Sequence, residues 1–176
     1  MKTINWLTLN QFSIDDIVVF IHWLGFTSKG QVTSTQIHGH TPIRSSKVPG
    51  LIKILDYFNF AVRSGDKLQI TRNGRDFERA NASLKFEILN GKFSEDETIK
   101  KILLRLEQSP SGRLNVNTVA EILQDTYDTR VSRDDVSGLI AWATTCKLFV
   151  YDEDRNEIVH IGGRLPRNPL APNLAS

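Results

Sequence analysis

The chain has 176 residues and a net charge of only +2, from 22 basic and 20 acidic side chains. Any contact with nucleic acid must therefore come from local clustering of charge, because the whole surface is not strongly basic. About 40% of the residues are apolar, which suits a globular core and argues against wholesale disorder. Cys146 is the only cysteine, which excludes an internal disulfide and a cysteine zinc cluster.

The first predicted helix begins after Ser13, a good N-cap, with Asp16 placed as the acid of a capping box. Apolar residues then recur at helical spacing: Ile14, Ile17, Val18, Ile21 and Leu24. Residues 27–47 are polar, with one short helix predicted at 32–37 and a turn at 38–42. Pro49 marks the first turn of another helix. Apolar residues at 60–62 and 68–70 then flank Ser64-Gly65-Asp66, which predicts a β-hairpin.

Two helices are predicted next, over residues 71–80 and 82–90, with Gly91 as the C-cap of the second. Ser94 is expected to cap the following helix, and Val119, Ile122 and Leu123 mark another. Ser132 caps the last one, and a second hairpin is predicted over residues 149–160. Residues 162–176 hold three prolines and little that is apolar, which predicts a flexible tail.

An internal repeat organises this pattern. Gly50-Leu51-Ile52 precedes Phe60-Ala61-Val62 by ten residues, and Gly138-Leu139-Ile140 precedes Leu148-Phe149-Val150 by the same ten. A polar turn and an apolar strand follow in both copies. A constant shift of 88 residues would also place Ile14 on Ile102 and Val18 on Leu106.

The repeat predicts a mainly α fold with small β-hairpins, arranged as a tandem winged helix of two copies. Three short helices cannot bury their apolar stripes alone, and a hairpin can cover the open side of their core. The expected domains are a first winged helix at residues 1–71, linking helices at 72–93, a second winged helix at 94–161 and the tail.

A family resemblance begins at Ile70-Thr71-Arg72-Asn73-Gly74-Arg75-Asp76-Phe77, a strand followed by Thr-x-x-Gly-Arg-x-Phe at a helix start. It continues in Ile140-Ala141-Trp142, Leu148-Phe149 and Tyr151-Asp152-Glu153-Asp154. Over roughly residues 48–161 the chain resembles the AAA-associated C-terminal domain of ATP-binding subunits of nitrate- and sulfonate-type transporters. The resemblance implies a regulatory or docking role beside an ATPase.

The sequence offers no catalytic or cofactor-binding constellation. The motif Gly-x-x-x-x-Gly-Lys-Ser/Thr does not occur, so no nucleotide-binding ATPase is expected on this chain. His38 and His40 could form a metal pair, but without a third and fourth ligand a polar turn is favoured, and no metal is expected. A buried structural thiol is expected at Cys146. We expect a non-catalytic protein without cofactors.

Basic residues cluster around the third helix of the first copy and its hairpin. At a helix start beside a wing, cations and hydroxyls suit phosphate contacts. The alternative is an ordinary solvated face. The predicted DNA-binding residues are Arg44, Ser45, Ser46, Lys47, Lys53, Arg63, Lys67 and Arg72.

The second copy has acids at the same places, Asp134 and Asp135 at the helix start and Asp152, Glu153 and Asp154 in the hairpin turn. These would repel phosphates, which favours contact with protein. The expected partners are double-stranded DNA for the first copy and a protein or a second copy of the chain for the second. A module that regulates an ATPase or another partner without touching DNA is the alternative, and a nuclease fragment is a third. No membrane segment or signal peptide is predicted, so the expected location is the cytoplasm.

Overall fold

The computed structural model describes residues 5–27 and 29–161. It is mainly helical, with two small antiparallel sheets. The first part holds α1 (Trp6–Leu9), α2 (Ile14–Phe26), β1 (Gln31–Thr33), α3 (Ser34–His40), α4 (Val48–Tyr57), β2 (Ala61–Ser64) and β3 (Lys67–Ile70). Two connecting helices follow, α5 (Arg72–Arg79) and α6 (Ala82–Ser94). The last part holds α7 (Glu97–Gln108), β4 (Arg113–Asn115), α8 (Val116–Tyr127), α9 (Arg133–Thr145), β5 (Phe149–Asp152) and β6 (Glu157–His160).

The same order of elements occurs twice. We call α2 to β3 the first repeat and α7 to β6 the second repeat; each runs helix, strand, helix, helix, strand, strand. The strand orders are β1-β3-β2 and β4-β6-β5, so the last strand is central in both sheets. The sequence predicted a two-stranded hairpin in each copy. Each hairpin is in fact joined by a third strand that comes from the segment before the second helix.

The same turn ends the third helix of both repeats. Asn59 and Lys147 adopt left-handed backbone conformations, with φ of 56° and 57°. The amide of the next residue then bonds back to the helix, Phe60 N to Leu55 O at 2.8 Å and Leu148 N to Ala143 O at 2.9 Å. The spacing of 88 residues that the sequence indicated therefore holds from the third helix to the hairpin.

Upstream of the third helix the spacing between the repeats is 82 residues. Gly30 and Gly112, with φ of 82° and 63°, both accept a hydrogen bond from the central strand at 2.8 and 3.1 Å. The buried positions of the first helices correspond at this spacing: Ile17, Phe20 and Leu24 with Ile99, Ile102 and Leu106. The expected pairing of Ile14 with Ile102 and of Val18 with Leu106 is therefore wrong. The shift changes because α8 has 12 residues and α3 only 7.

Most predicted helix ends are confirmed. Ser13 and Ser132 form complete capping boxes with Asp16 and Asp135, and Pro49 lies in the first turn of α4. The predicted end of α6 and the predicted start of α7 were wrong. Helix α6 continues through Gly91 to Ser94, because burying Leu89 and Phe93 outweighs the roughly 1 kcal/mol cost of one glycine in a helix. The N-cap of α7 is Asp96, whose carboxylate accepts the amides of Thr98 and Ile99 at 3.0 and 3.3 Å.

An aromatic chain joins the two repeats into one core. Phe93 of α6 contacts Trp6 of α1, Phe58 beside α4 and Trp142 of α9, with ring centroids 4.9, 5.3 and 5.8 Å apart. All four rings are nearly inaccessible to water. Such tilted and edge-on ring pairs add to the free energy of burial.

No helix within residues 5–27 and 29–161 has both the length and the apolar character needed to cross a membrane. The predicted tail, residues 162–176, lies outside the described residues. The predicted domain boundaries stay predictions.

Candidate interaction surfaces

The predicted DNA-binding residues surround the start of α4 and the hairpin of the first repeat. Seven of the eight have exposed side chains, and only Lys47 is half-buried. The loop before α4 contains Arg44, Ser45 and Ser46. Helix α4 has Pro49 in its first turn, and no side chain caps its start. Lys53 lies one turn further along, on the exposed side of the helix. The assignment of these residues to DNA stays a prediction.

Lys47 has several partners within the protein. Its Nζ donates to the Gln11 carbonyl at 3.0 Å and lies 3.7 Å from the Asp16 carboxylate. It also lies over the Phe12 ring, 5.5 Å from the centroid. These contacts hold the segment before α2 against the start of α4. A phosphate would have to compete with them for the same ammonium group.

The two cations of the hairpin point to opposite faces. Arg63 pairs across the hairpin with the buried Leu68, and Lys67 pairs with Ser64. Cross-strand partners share a face and neighbours along a strand alternate, so Arg63 and Lys67 lie on different sides. Arg63 folds back to donate to the Gly65 carbonyl at 3.3 Å. Arg72, after the hairpin, lies 4.0 Å from Asp76.

The segment of residues 6–12 lies between the third helices of the two repeats. On the α4 side, a Cβ added at Gly50 would lie 3.1 Å from the Phe12 ring. On the α9 side, a Cβ at Gly138 would lie 1.3 Å from Asn10 Oδ1. Gly50 and Gly138 begin the two repeated Gly-Leu-Ile triplets, so the repeated glycines are the points of close approach. One face of each third helix is therefore covered.

Side-chain bonds fix this segment to the second repeat. The Trp6 indole donates to Asp96 at 3.0 Å, and Trp142 donates its indole N–H to the Phe12 carbonyl at 3.1 Å. Asn10 donates to the Asp134 carbonyl at 2.7 Å. Both indole rings are buried.

The second repeat carries a groove of about 790 Å³ on its outer side, which we call the outer groove. It lies between the start of α8, the exposed side of α9 and the base of the β5–β6 hairpin. Its apolar lining comes from Val116, Ala120, Val131, Val136, Ile140, Ala141 and Tyr151. Its hydroxyl groups come from Ser132, Ser137, Thr144 and Thr145. Polar and apolar residues therefore line the groove in similar measure, and a concavity with both apolar surface and convergent polar groups is typical of a binding site.

Much of the acidic charge near the outer groove is used within the protein. Ser132 donates its hydroxyl to Asp135 at 2.6 Å, which lowers the pKa of that carboxyl. The Arg113 guanidinium donates to Asp152 at 2.8 Å and to Glu157 at 3.2 Å, and the bond lowers the pKa of Asp152. Only Arg133 and Glu153 bring charge to the lining of the groove.

Within the described residues, the candidate reactive cysteine and the candidate metal-binding histidines form no catalytic or metal site. Burial raises the pKa of the Cys146 thiol to about 12, which makes it a poor nucleophile at neutral pH. His38 and His40 were predicted in a turn, but the last turn of α3 contains both. Within the part of the chain that the structure describes, no three His, Cys, Asp or Glu side chains form a group that could hold a metal ion.

The sequence did not indicate the outer groove, because its residues come from three separate segments. A signal does exist in α9, where Ser137, Ala141 and Thr145 form a stripe of small side chains at helical spacing. Such a stripe on the exposed side of a helix leaves room beside the hairpin. Strands β1 and β4 also have a signal in the sequence. Gly30 and Gly112 each lie three residues before a helix N-cap, Thr33 and Asn115 respectively.

One protein family matches most of the sequence. The chain belongs to the C-terminal AAA-associated domain family, whose model matches residues 36–152, more than half of the chain. The predicted resemblance is confirmed, and the family description associates such domains with ATPases. No match was found among curated proteins or among solved structures.

Proposed function

We propose that this chain is a non-catalytic regulatory module of two winged-helix units that docks on an ATPase or on a protein of the same assembly. The family description supports the ATPase link. The element order and strand order of the two repeats support the winged-helix interpretation. The observation that carries the docking role is the outer groove of the second repeat.

The outer groove occupies the position that a DNA-binding winged helix presents to DNA, beside the third helix and the wing. About half of its lining is apolar, Arg133 is the one cation among the described lining residues, and the loop above it holds Glu153 and Asp154. Phosphates would meet little positive charge there and would be repelled by these acids. An apolar side chain or helix of a partner would instead remove apolar surface from water.

Matched substitutions test the groove. Ala141 lines it, and Lys53 is the residue at the same helix position in the first repeat, 88 residues earlier. We expect Ala141→Glu to block docking, since it places a charge on the apolar lining. Lys53→Glu, which places the same side chain on the other repeat, should leave docking unchanged.

The measurement uses the full chain. The ATPase is first purified from the source cells by its binding to the tagged protein. Its rate of ATP hydrolysis is then measured as wild-type or variant chain is added. Wild type and Lys53→Glu should change the rate at stoichiometric amounts, and Ala141→Glu should not. The proposal fails if no ATPase responds, or if Ala141→Glu acts like wild type.

DNA binding by the first repeat is a second candidate, favoured by the exposed Arg44, Lys53, Arg63 and Lys67. A fluorescent duplex titrated with the full chain should then bind with an affinity that falls steeply with salt. The pair Arg44→Ala with Lys47→Ala should weaken that binding, and Arg133→Ala should not. Equal effects, or an affinity indifferent to salt, would contradict a DNA role.

A further inference from the structure

The outer face of α2 carries a stripe of exposed side chains that includes the apolar Val19 and Phe26, and His22 in this stripe lies 3.3 Å from Glu78 and contacts the Phe26 ring. Asp15, Val19, His22 and Phe26 follow at spacings of four, three and four residues, and all four are exposed. Phe26 is 76% exposed and Val19 44%, although both are large apolar side chains. With Trp23 and Pro42 they line a shallow apolar depression of about 390 Å³. We call this surface the α2 stripe.

The fold itself does not require an apolar surface there. The residues of α7 at the positions of Val19, Trp23 and Phe26, 82 residues later, are Lys101, Arg105 and Gln108. Lys101, Arg105 and Asp125 line the corresponding depression of the second repeat together with Leu104 and Ile122. The second repeat therefore has charged side chains beside its apolar ones, where the first repeat has Val19, Trp23 and Phe26. Concentrated exposed apolar surface on one of two similar units indicates an interaction site.

The charges at the ends of the α2 stripe are arranged for pairing with a second copy of itself. Asp15 lies at the amino end of α2, and Lys29 follows its carboxyl end with an exposed side chain. Position 22 is midway between them. When two such helices lie antiparallel about a two-fold axis at position 22, the end of α2 that carries Asp15 in each copy lies beside the end that Lys29 follows in the other. Phe26 of each copy then lies beside Val18 and Val19 of the other, whereas Gly25 faces Glu78 of its own chain.

We propose that the chain forms a symmetric homodimer through antiparallel contact of the two α2 stripes. This inference does not depend on the ATPase partner, because the outer groove lies on the other repeat. The contact is one helix face about three turns long, which is small beside the roughly 1,200 Å² of stable interfaces. The dimer should therefore dissociate on dilution, and it leaves the outer groove of each copy free.

Sedimentation equilibrium of the full chain over a wide concentration range tests the dimer. Wild type should shift from monomer to dimer as concentration rises. Phe26→Asp should raise the dissociation constant about tenfold or more, as loss of a central aromatic anchor does. Leu104→Asp is the matched control, since Leu104 is 52% exposed on the corresponding helix of the second repeat and should leave the dimer unchanged.

Charge reversal tests the antiparallel pairing. Asp15→Lys and Lys29→Asp should each weaken the dimer, and the double variant should restore it, because the acid and the base merely exchange places. Aspartate is chosen because position 29 has a φ of 64°, which aspartate tolerates better than most residues. Circular dichroism checks that each variant is folded.

Three outcomes would overturn the proposal. These are a monomer at every concentration, a Leu104→Asp effect equal to that of Phe26→Asp, and a double charge reversal that fails to restore the dimer. The ATPase titration with Phe26→Asp distinguishes this failure from that of the proposed function. A variant that is monomeric but still changes the ATP hydrolysis rate separates the two surfaces.

Discussion

The two repeats share a backbone and differ in what they present to the outside. In the first repeat the outer face of the first helix is apolar and the surroundings of the third helix are basic. In the second repeat the first helix presents Lys101 and Arg105 beside the exposed Leu104, and the third helix borders a groove with both apolar and polar lining. The inward residues keep the same apolar spacing in both, since both must close a core. Core packing therefore constrains the buried residues of both repeats in the same way, whereas the residues on their outer surfaces can differ.

The contacts of the third helices with residues 6–12 differ in the same way. A Cβ added at Gly50 would crowd the Phe12 ring at 3.1 Å, whereas a Cβ added at Gly138 would overlap the side-chain oxygen of Asn10 at 1.3 Å. The segment is therefore fitted more tightly against α9 than against α4. Its side-chain hydrogen bonds to Asp96 and Asp134 also go to the second repeat.

The largest expected effect is that of removing Trp6, which connects the two repeats. Trp6→Ala leaves a cavity beside Phe93 and removes the indole partner of the buried Asp96. We expect a loss of about 3–5 kcal/mol in the free energy of unfolding, measured by denaturant titration. Val62→Ala, at an exposed position, is the control and should change little. A loss below about 1 kcal/mol would mean that the repeats are stable without this contact.

Substitution of the two equivalent glycines, Gly50 and Gly138, compares the contacts of residues 6–12 with α4 and with α9. Gly138→Ala forces the Asn10 side chain away and breaks its bond to the Asp134 carbonyl, whereas Gly50→Ala only crowds the Phe12 ring. Both variants gain about 1 kcal/mol of helix propensity. We therefore expect Gly138→Ala to be less stable than Gly50→Ala by about 1–2 kcal/mol in thermal and denaturant unfolding. Equal stabilities would show that the segment contacts both helices alike.

The smallest effect concerns the cap of α9. Asp135→Ala removes the capping-box acid and should lower the free energy of unfolding by about 1 kcal/mol at pH 7. The folded pKa of Asp135 is lowered by the Ser132 hydroxyl, so its stabilisation is present above the ordinary carboxyl pKa near 4 and is lost as pH falls through the folded value. The difference between wild type and variant, measured across pH 2–7, should shrink at the acid end. A difference that grows on acidification would contradict this assignment.

The sequence predicted the elements whose signals are local. The capping boxes at Ser13 and Ser132 and the hairpins after α4 and α9 follow from short-range chemistry, and these predictions were confirmed. Strands β1 and β4 were missed, because three residues are too short to show a period of two. The end of α6 was wrong because a glycine there is overridden by long-range burial of Phe93. Seven of the eight predicted DNA-binding residues are exposed. Lys47 is half-buried and contacts Gln11 and Asp16, which the residues next to it in the sequence do not indicate.

The amino-acid sequence alone was enough to predict the repeated order of helices and hairpins and to recognise the family. Apolar spacing, caps and turn residues act between near neighbours along the chain and are visible without a structure. Tertiary packing places residues 6–12 between the two third helices, brings three separate segments together around the outer groove, and leaves Val19 and Phe26 exposed. These features depend on which face of each helix finds a partner far away in the sequence, and an amphipathic pattern alone does not specify that partner.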